Sequence, residues 1–318
     1  YCPSVNGFES SRRRGGMRFK KVIILYGGES AERGISLLSG QAVFDVLNQE
    51  GIDVQLWDPA VKPLTDLAAN KPDVVFIALH GGMGEGGEVQ AALRLMNIPY
   101  TGSDAQACML SMDKYLSKLV WHAQGLPTAP YVLVRSEKDW SACEALNFPL
   151  FLKPLREGSS VGVHKIKDRT ALFEIGRPLL AEYSVLLAEA FLSGPEISCS
   201  ILGDEALPVV RIEPCNEFYD YEAKYVNHNT LYHCPAGLTR EQEADVRKLA
   251  LSAFRSCGCK GWGRVDLVQG SDGIFYLLEL NTVPGMTTRS IVPRAAEHRG
   301  LDFKTLCLTI LNYAAAKG

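Results

Sequence analysis

No apolar run in the sequence reaches the roughly 18–20 residues a membrane helix needs. The chain also lacks the short apolar core of a signal peptide, because residues 1–16 are polar and contain Ser10-Ser11-Arg12-Arg13-Arg14-Gly15-Gly16. No membrane partner is expected. Charge of one sign is not in excess, since 33 Lys and Arg face 36 Asp and Glu for a net charge of −3. That balance lacks the basic footprint of a nucleic-acid binder. The nine cysteines are odd in number and fall into no paired zinc spacing; Cys257-Gly258-Cys259 is too tight and has no second pair. Reduced thiols and a cytoplasmic setting follow as the expectation. Internal repeats and low-complexity linkers are missing as well.

What remains is an ordinary globular composition over 318 residues, long enough for two or three lobes rather than one core. Residues 1–16 are expected to be a disordered leader, with Met17 as a natural start just before the first strand. Lys21 to Tyr26 reads as a buried strand broken by Gly27-Gly28. A helix follows, with Ile35, Leu38, Ala42, Val46 and Leu47 on its apolar face. Val54 to Trp57 and Val74 to Leu79 are further strands, the second ending at His80-Gly81-Gly82. Strand, glycine turn and helix in this order imply a parallel sheet with ligand groups at the carboxyl ends of its strands.

Ala105 to Ala123 reads as one helix, and strands then recur at 131–134, 149–153, 161–166 and 185–189. The turn Glu157-Gly158-Ser159-Ser160 precedes the third of these. Longer strands cover 196–202 and 206–213. An irregular stretch, 214–237, reads as an active-site lid, and helices cover 239–257 and the end from Phe303. The fold class is α/β with α+β lobes: 17–104, 105–191 and 192–318.

Gly263 to Asn281 is the segment richest in chemistry. Asp272-Gly273 signals a two-residue hairpin turn. Pairing Ser271 with Ile274 and counting outward sets Asp266 opposite Glu279 and Arg264 opposite Asn281. The period of two places these four on one face, and Val265, Leu267, Leu278 and Leu280 on the other. Facing carboxylates repel at about 4.5–5.5 Å between Cβ atoms. Two of them beside a carboxamide therefore suit a hard cation such as Mg²⁺. On spacing alone, a solvated surface hairpin stays open as an alternative.

These motifs occur together with Gly27-Gly28-Glu29-Ser30-Ala31-Glu32-Arg33, Ser111-Met112-Asp113-Lys114, Lys153-Pro154, Arg156 to Gly162, Phe218 to Tyr225, and Glu279 to Met286. In that order the sequence resembles the D-alanine–D-alanine ligases of the ATP-grasp superfamily from about Met17 onward. The resemblance implies three lobes, with ATP held between the last two. It implies ligation of two D-alanines through a D-alanyl phosphate, releasing ADP and phosphate, for peptidoglycan precursor synthesis. It implies two Mg²⁺ (or Mn²⁺) on Asp266, Glu279 and Asn281.

Nucleotide contacts would come from Lys114, Lys153, Glu189, Phe191, Leu192 and Glu196. Lysines suit phosphate, and a carboxylate can accept from an adenine amino group. Glu32, Ser159, Arg264 and Tyr225 would serve catalysis, with Glu32 holding the first D-alanine's ammonium. His80, Lys224, Gly285 and Ser290 would bind substrate. A homodimer is expected. The chain departs from the family pattern at Gly86, where an acid is usual, and at Ala190, Phe191 and Arg289. Three alternatives differ. A D-alanine–D-lactate ligase would favour phenylalanine at Tyr225, and a non-catalytic binder would lack Arg264, Asp266 or Glu279. An NAD enzyme would need Gly-x-Gly-x-x-Gly spacing.

Overall fold

The computed structural model describes residues 19–214 and 230–315. The expected leader and most of the expected lid, including Lys224 and Tyr225, lie outside the described residues. Among the described residues no helix is long and apolar enough to cross a membrane.

β1 (Lys21–Leu25) is the middle strand of a parallel sheet, which explains its unbroken apolar run. α1 (Arg33–Gln49) crosses over to β2 (Asp53–Trp57) on one side. α2 (Leu67–Asn70) precedes β3 (Val74–Ile77) on the other, and α3 (Gly82–Glu85) and α4 (Glu88–Leu95) follow. The face that α1 buries is not the expected one. Ser36, Ser39, Gly40, Val43 and Leu47 pack inward, whereas Leu38 is 60% exposed. Small residues win because the helix lies close to the sheet end: a Cβ on Gly40 would sit 2.4 Å from that of Tyr26. The Ser36 hydroxyl meets the carbonyl of Ala78 at 2.7 Å, so its burial leaves no polar atom unpaired.

The single helix expected over 105–123 is two, α5 (Ala105–Met112) and α6 (Lys114–Ala123). Asp113 divides them with an extended backbone, its carboxylate accepting from the N–H groups of Tyr115 and Leu116 as an N-cap. The central sheet is antiparallel, built from β4 (Tyr131–Val134), β5 (Leu150–Pro154), β6 (His164–Ile166) and β7 (Leu186–Ala190) in the order β4-β7-β5-β6. α7 (Trp140–Glu144) and α8 (Arg169–Tyr183) cover it.

The last sheet runs β11-β10-β8-β12-β13, with β9 on the side of β8. Its strands are β8 (Glu196–Leu202), β9 (Glu205–Ala206), β10 (Val210–Glu213), β11 (Leu231–His233), β12 (Trp262–Gln269) and β13 (Phe275–Asn281). α9 (Arg240–Ser256) packs on it, and α10 (Ile291–His298) and α11 (Phe303–Ala315) close the chain. The strand expected over 206–213 is thus two short pieces.

Three cores result, and they cut across the expected boundaries. Ala107 of α5 and Trp121 of α6 belong to the core of the last sheet rather than the central one. Ile291 to Ala296 and Leu306 to Leu311 join the core of the first sheet, so the end of the chain caps the beginning.

Candidate active site

The hairpin β12–β13 sets Arg264 opposite Asn281 and Asp266 opposite Glu279, as the count from the turn implies. The route to that register differs. The turn holds three residues, since Gly270 N–H bonds the Ile274 carbonyl at 2.8 Å and Gly273 takes φ +81°. A bulge at Leu278 restores the register, because Asp266 faces Glu279 while Leu267 faces Leu277. The two one-residue offsets cancel at the carboxylates. Leu278 leaves the core face and lines a cleft with Glu279.

Two clefts meet at this hairpin. The first lies between the central and last sheets and is lined by Lys114, Lys118, Lys153, Glu189, Phe191, Leu192, Glu196 and Glu279. All six expected nucleotide residues are therefore brought together. The rings of Phe151 and Phe191 pack at a tilt with centres 5.9 Å apart, and Lys165 Nζ sits 4.1 Å from the Phe191 ring centre. Lys114 donates to the Glu157 carbonyl at 2.6 Å and lies 3.8 Å from Glu279 Oε2. Glu189 is buried, with Lys118 on one carboxylate oxygen and Lys153 on the other. The charges of the two lysines outweigh its burial and hold its carboxyl below the usual range.

The second cleft is lined by Glu32, His80, Glu85, Ser159, Arg264, Glu279, Asn281, Gly285 and Ser290. Glu32 does not cap α1 with its side chain. Its carboxylate instead accepts from the Ser159 hydroxyl. Gly81 permits this approach, since a Cβ there would lie 2.5 Å from Glu32 Oε2 and its φ is +63°. Ser159 and Ser160 both hold left-handed backbone, at φ +52° and +60°, a strain of about 1–3 kcal/mol each. Ser159 lines the second cleft and Ser160 the first, so this turn divides them.

Both nitrogens of His80 are engaged. Nδ1 lies 2.7 Å from the Val283 carbonyl and must carry the proton; Nε2, at 2.8 Å, then accepts from the Ser39 hydroxyl. The Ser39 oxygen in turn accepts from the Met286 N–H at 3.0 Å. Burial, with Arg264 adding to it, pushes the imidazole below its usual range against Glu32 and the Val283 carbonyl, so it is neutral. His80 thereby ties α1 to the loop carrying Gly285. That loop is tight, because a Cβ on Gly285 would sit 2.9 Å from Ser290 Oγ. Ser290 Oγ accepts from the Thr287 N–H at 3.1 Å and stands at the start of α10.

Three site residues escaped the sequence reading. Lys118 lies one helical turn beyond Lys114 and had a helix-face signal that could have found it. Ser198 donates to Asp266 at 2.6 Å, from a strand pairing that no local pattern reveals. Glu85 follows the same buried strand as His80. Burial, then the charges of Glu32 and Glu279, drives its carboxyl well above the usual range despite Arg264. At Gly86, where an acid is usual, a Cβ would lie 2.4 Å from Oε2 of the exposed Glu88, the movable end of a side chain, and 3.0 Å from the Gly82 carbonyl.

Asp266 is buried and receives Arg264 through Nε and Nη2 and Asn281 through Nδ2 at 3.0 Å. Among the described residues no three His, Cys, Asp or Glu side chains converge on one point. The hairpin offers two carboxylates and a carboxamide, whose remaining acceptor is Oδ1. Such an all-oxygen set fits a hard divalent cation.

A parallel N-terminal sheet, an antiparallel central sheet and a carboxylate hairpin facing it define an ATP-grasp ligase. Residues 58–103 match the family model described as the D-ala D-ala ligase N-terminus, and residues 120–312 the one described as its C-terminus. The D-alanine–D-alanine ligase of Dechloromonas aromatica (strain RCB) is 48% identical over 93% of this chain and 98% of its own. The ATP complex of the Bacillus anthracis D-alanine–D-alanine ligase superposes with a TM-score of 0.81 at 30% identity, covering 93% of this chain and 96% of its own. The VanG D-Ala:D-Ser ligase of Enterococcus faecalis reaches a TM-score of 0.80 at 26% identity, covering 93% and 99%. The chain belongs to the D-alanine–D-alanine ligase family.

Proposed function

We propose that this chain ligates two D-alanines to D-alanyl-D-alanine at the expense of ATP, for peptidoglycan synthesis. The observation that carries the reading is that Glu279 lines both clefts at once. A nucleotide in the first cleft then presents its terminal phosphate where a carboxylate in the second can attack it.

Glu32, held by Ser159, binds the ammonium of the first D-alanine and turns its carboxylate toward that junction. Lys114 and Lys153 bring positive charge to the phosphates from the central sheet and α6. Phe191 and Leu192 cover the base, and Glu196 meets the ribose. Asp266, Glu279 and Asn281 would hold two Mg²⁺ or Mn²⁺. Bound there, the cations offset charge between phosphate and attacking carboxylate. Attack of the first carboxylate gives D-alanyl phosphate and ADP. The second amine then adds to the acyl carbon, with Arg264 and the Gly285 N–H facing the developing oxyanion. Phosphate leaves as the amide forms. Ser290, at the N-terminus of an eight-residue helix, suits the second carboxylate. By the family resemblance, Lys224 would bind substrate and Tyr225 would serve catalysis.

A cytoplasmic homodimer belongs to the proposal. Met83, Leu95 and Met109 are exposed on the neighbouring helices α3, α4 and α5, giving an apolar surface for a second copy. Light scattering tests that state. For the reaction, ADP release is measured with D-alanine, L-alanine and D-lactate, and products are weighed by mass spectrometry. The dipeptide from D-alanine is expected; an ester with D-lactate in preference would overturn the assignment.

A further inference from the structure

Lys118 is 1% exposed at its side chain and yet faces the nucleotide cleft. Its ammonium is fully committed. It meets Glu189, donates to Thr128 Oγ1 at 2.6 Å, and lies 5.6 Å from the ring centre of Tyr131. The Thr128 hydroxyl proton is spent on the Leu277 carbonyl at 3.0 Å, so only its lone pair is left for the lysine. The other lysine on Glu189 is different. Lys153 is 14% exposed at its side chain, within reach of solvent and of a nucleotide's phosphates.

We propose that Lys118 is a positioning residue that sets base specificity, fixing Glu189 as an anionic, acceptor-only group on the wall of the nucleotide cleft. The inference rests on that cleft being the ATP site. An ionised carboxylate accepts from the adenine amino group and repels the guanine carbonyl oxygen, which is also an acceptor. A buried carboxyl without a cation would take up a proton, gain a donor and lose that distinction. Once Lys153 turns to the phosphates, Lys118 alone keeps Glu189 charged. Its place beneath the wall makes it independent of the ligand.

The test is the ratio of dissociation constants for ADP and GDP, measured by calorimetry on the whole protein. Wild type is expected to favour ADP strongly. K118M should reduce that preference by about tenfold or more, the worth of one charged hydrogen bond, and K118R should keep most of it. An unchanged ratio in a folded K118M protein overturns the inference. If K118M does not fold, E189Q and K118M/E189Q decide, since the double variant leaves no unpaired buried charge of this pair. In E189Q, with Lys118 present, the new amide oxygen is held on the lysine and its NH₂ faces the base, which favours GDP. Without Lys118 the amide is free to turn, and the ratio should move back toward ADP. Equal ratios in the two would overturn the inference. Wild type binding neither nucleotide would overturn the reading of the cleft itself.

Discussion

Replacing His80 with leucine should loosen the joint between α1 and the Gly285 loop. The imidazole makes two hydrogen bonds, at 2.7 Å to the Val283 carbonyl and 2.8 Å to Ser39 Oγ. Leucine fills a similar volume but satisfies neither partner. Losing two bonds, and with them the donor to the buried Val283 carbonyl and the acceptor of the Ser39 hydroxyl proton, costs about 2–5 kcal/mol. For a chain of this size that is a melting temperature lower by roughly 3–8 °C. The pH dependence supplies a second readout. The folded imidazole is depressed below its ordinary value of 6.5, so below that pH the unfolded chain takes up a proton that the folded one refuses. Wild-type stability therefore falls as pH drops from 6.5 toward the folded value. The leucine variant should lose this slope. Melts by circular dichroism across pH 5–8 measure both effects. A variant that melts within about a degree of wild type, or keeps the slope, would refute the tautomer and the joint built on it.

Other outcomes follow from the same geometry. Glu279→Gln should cut turnover about a hundredfold or more with the fold intact, since in the proposed reaction it holds the cations and even an outer partner of a metal can cost that much, and lost activity is read beside an unchanged melt. Glu32→Gln should raise the KM for D-alanine by roughly tenfold or more, the cost of one charged hydrogen bond, with ATP binding little altered; calorimetry with ATP separates the two. Glu85→Gln should stabilise the protein more at pH 8 than at pH 5. The folded carboxyl titrates well above 4.5, so the native state loses stability as pH rises toward that value, and glutamine removes the loss. Urea unfolding at both pH values checks the sign.

The residues that proved legible in the sequence are those whose placement is local. Asp266 and Glu279 were found by counting outward from a hairpin turn, although the turn and the bulge at Leu278 each shift the count by one and cancel. Glu32, His80 and the Gly158 turn stand at ends of buried strands or at glycines, where ligands collect. What the pattern hid depends on contacts distant in sequence. Ser198 faces Asp266 only because β8 pairs with β12. Lys118 shares a helix face with Lys114, but its partner Glu189, 71 positions on, reaches it only through the fold. On α1 the apolar stripe misled, because serines and a glycine allow closer packing than Leu38 would, and Leu38 is left facing the second cleft.

In the proposed reaction a carboxylate in the second cleft attacks the terminal phosphate of a nucleotide in the first. This attack is tested most directly with D-alanine carrying ¹⁸O in both carboxylate oxygens, turned over with ATP and Mg²⁺, and with the phosphate analysed by mass spectrometry. Attack through one carboxylate oxygen, followed by cleavage at the acyl carbon, carries that oxygen into phosphate and leaves its twin in the new peptide carbonyl. One labelled oxygen is expected in each phosphate released, matched one for one by D-alanyl-D-alanine; unlabelled phosphate accompanying dipeptide would rule this attack out.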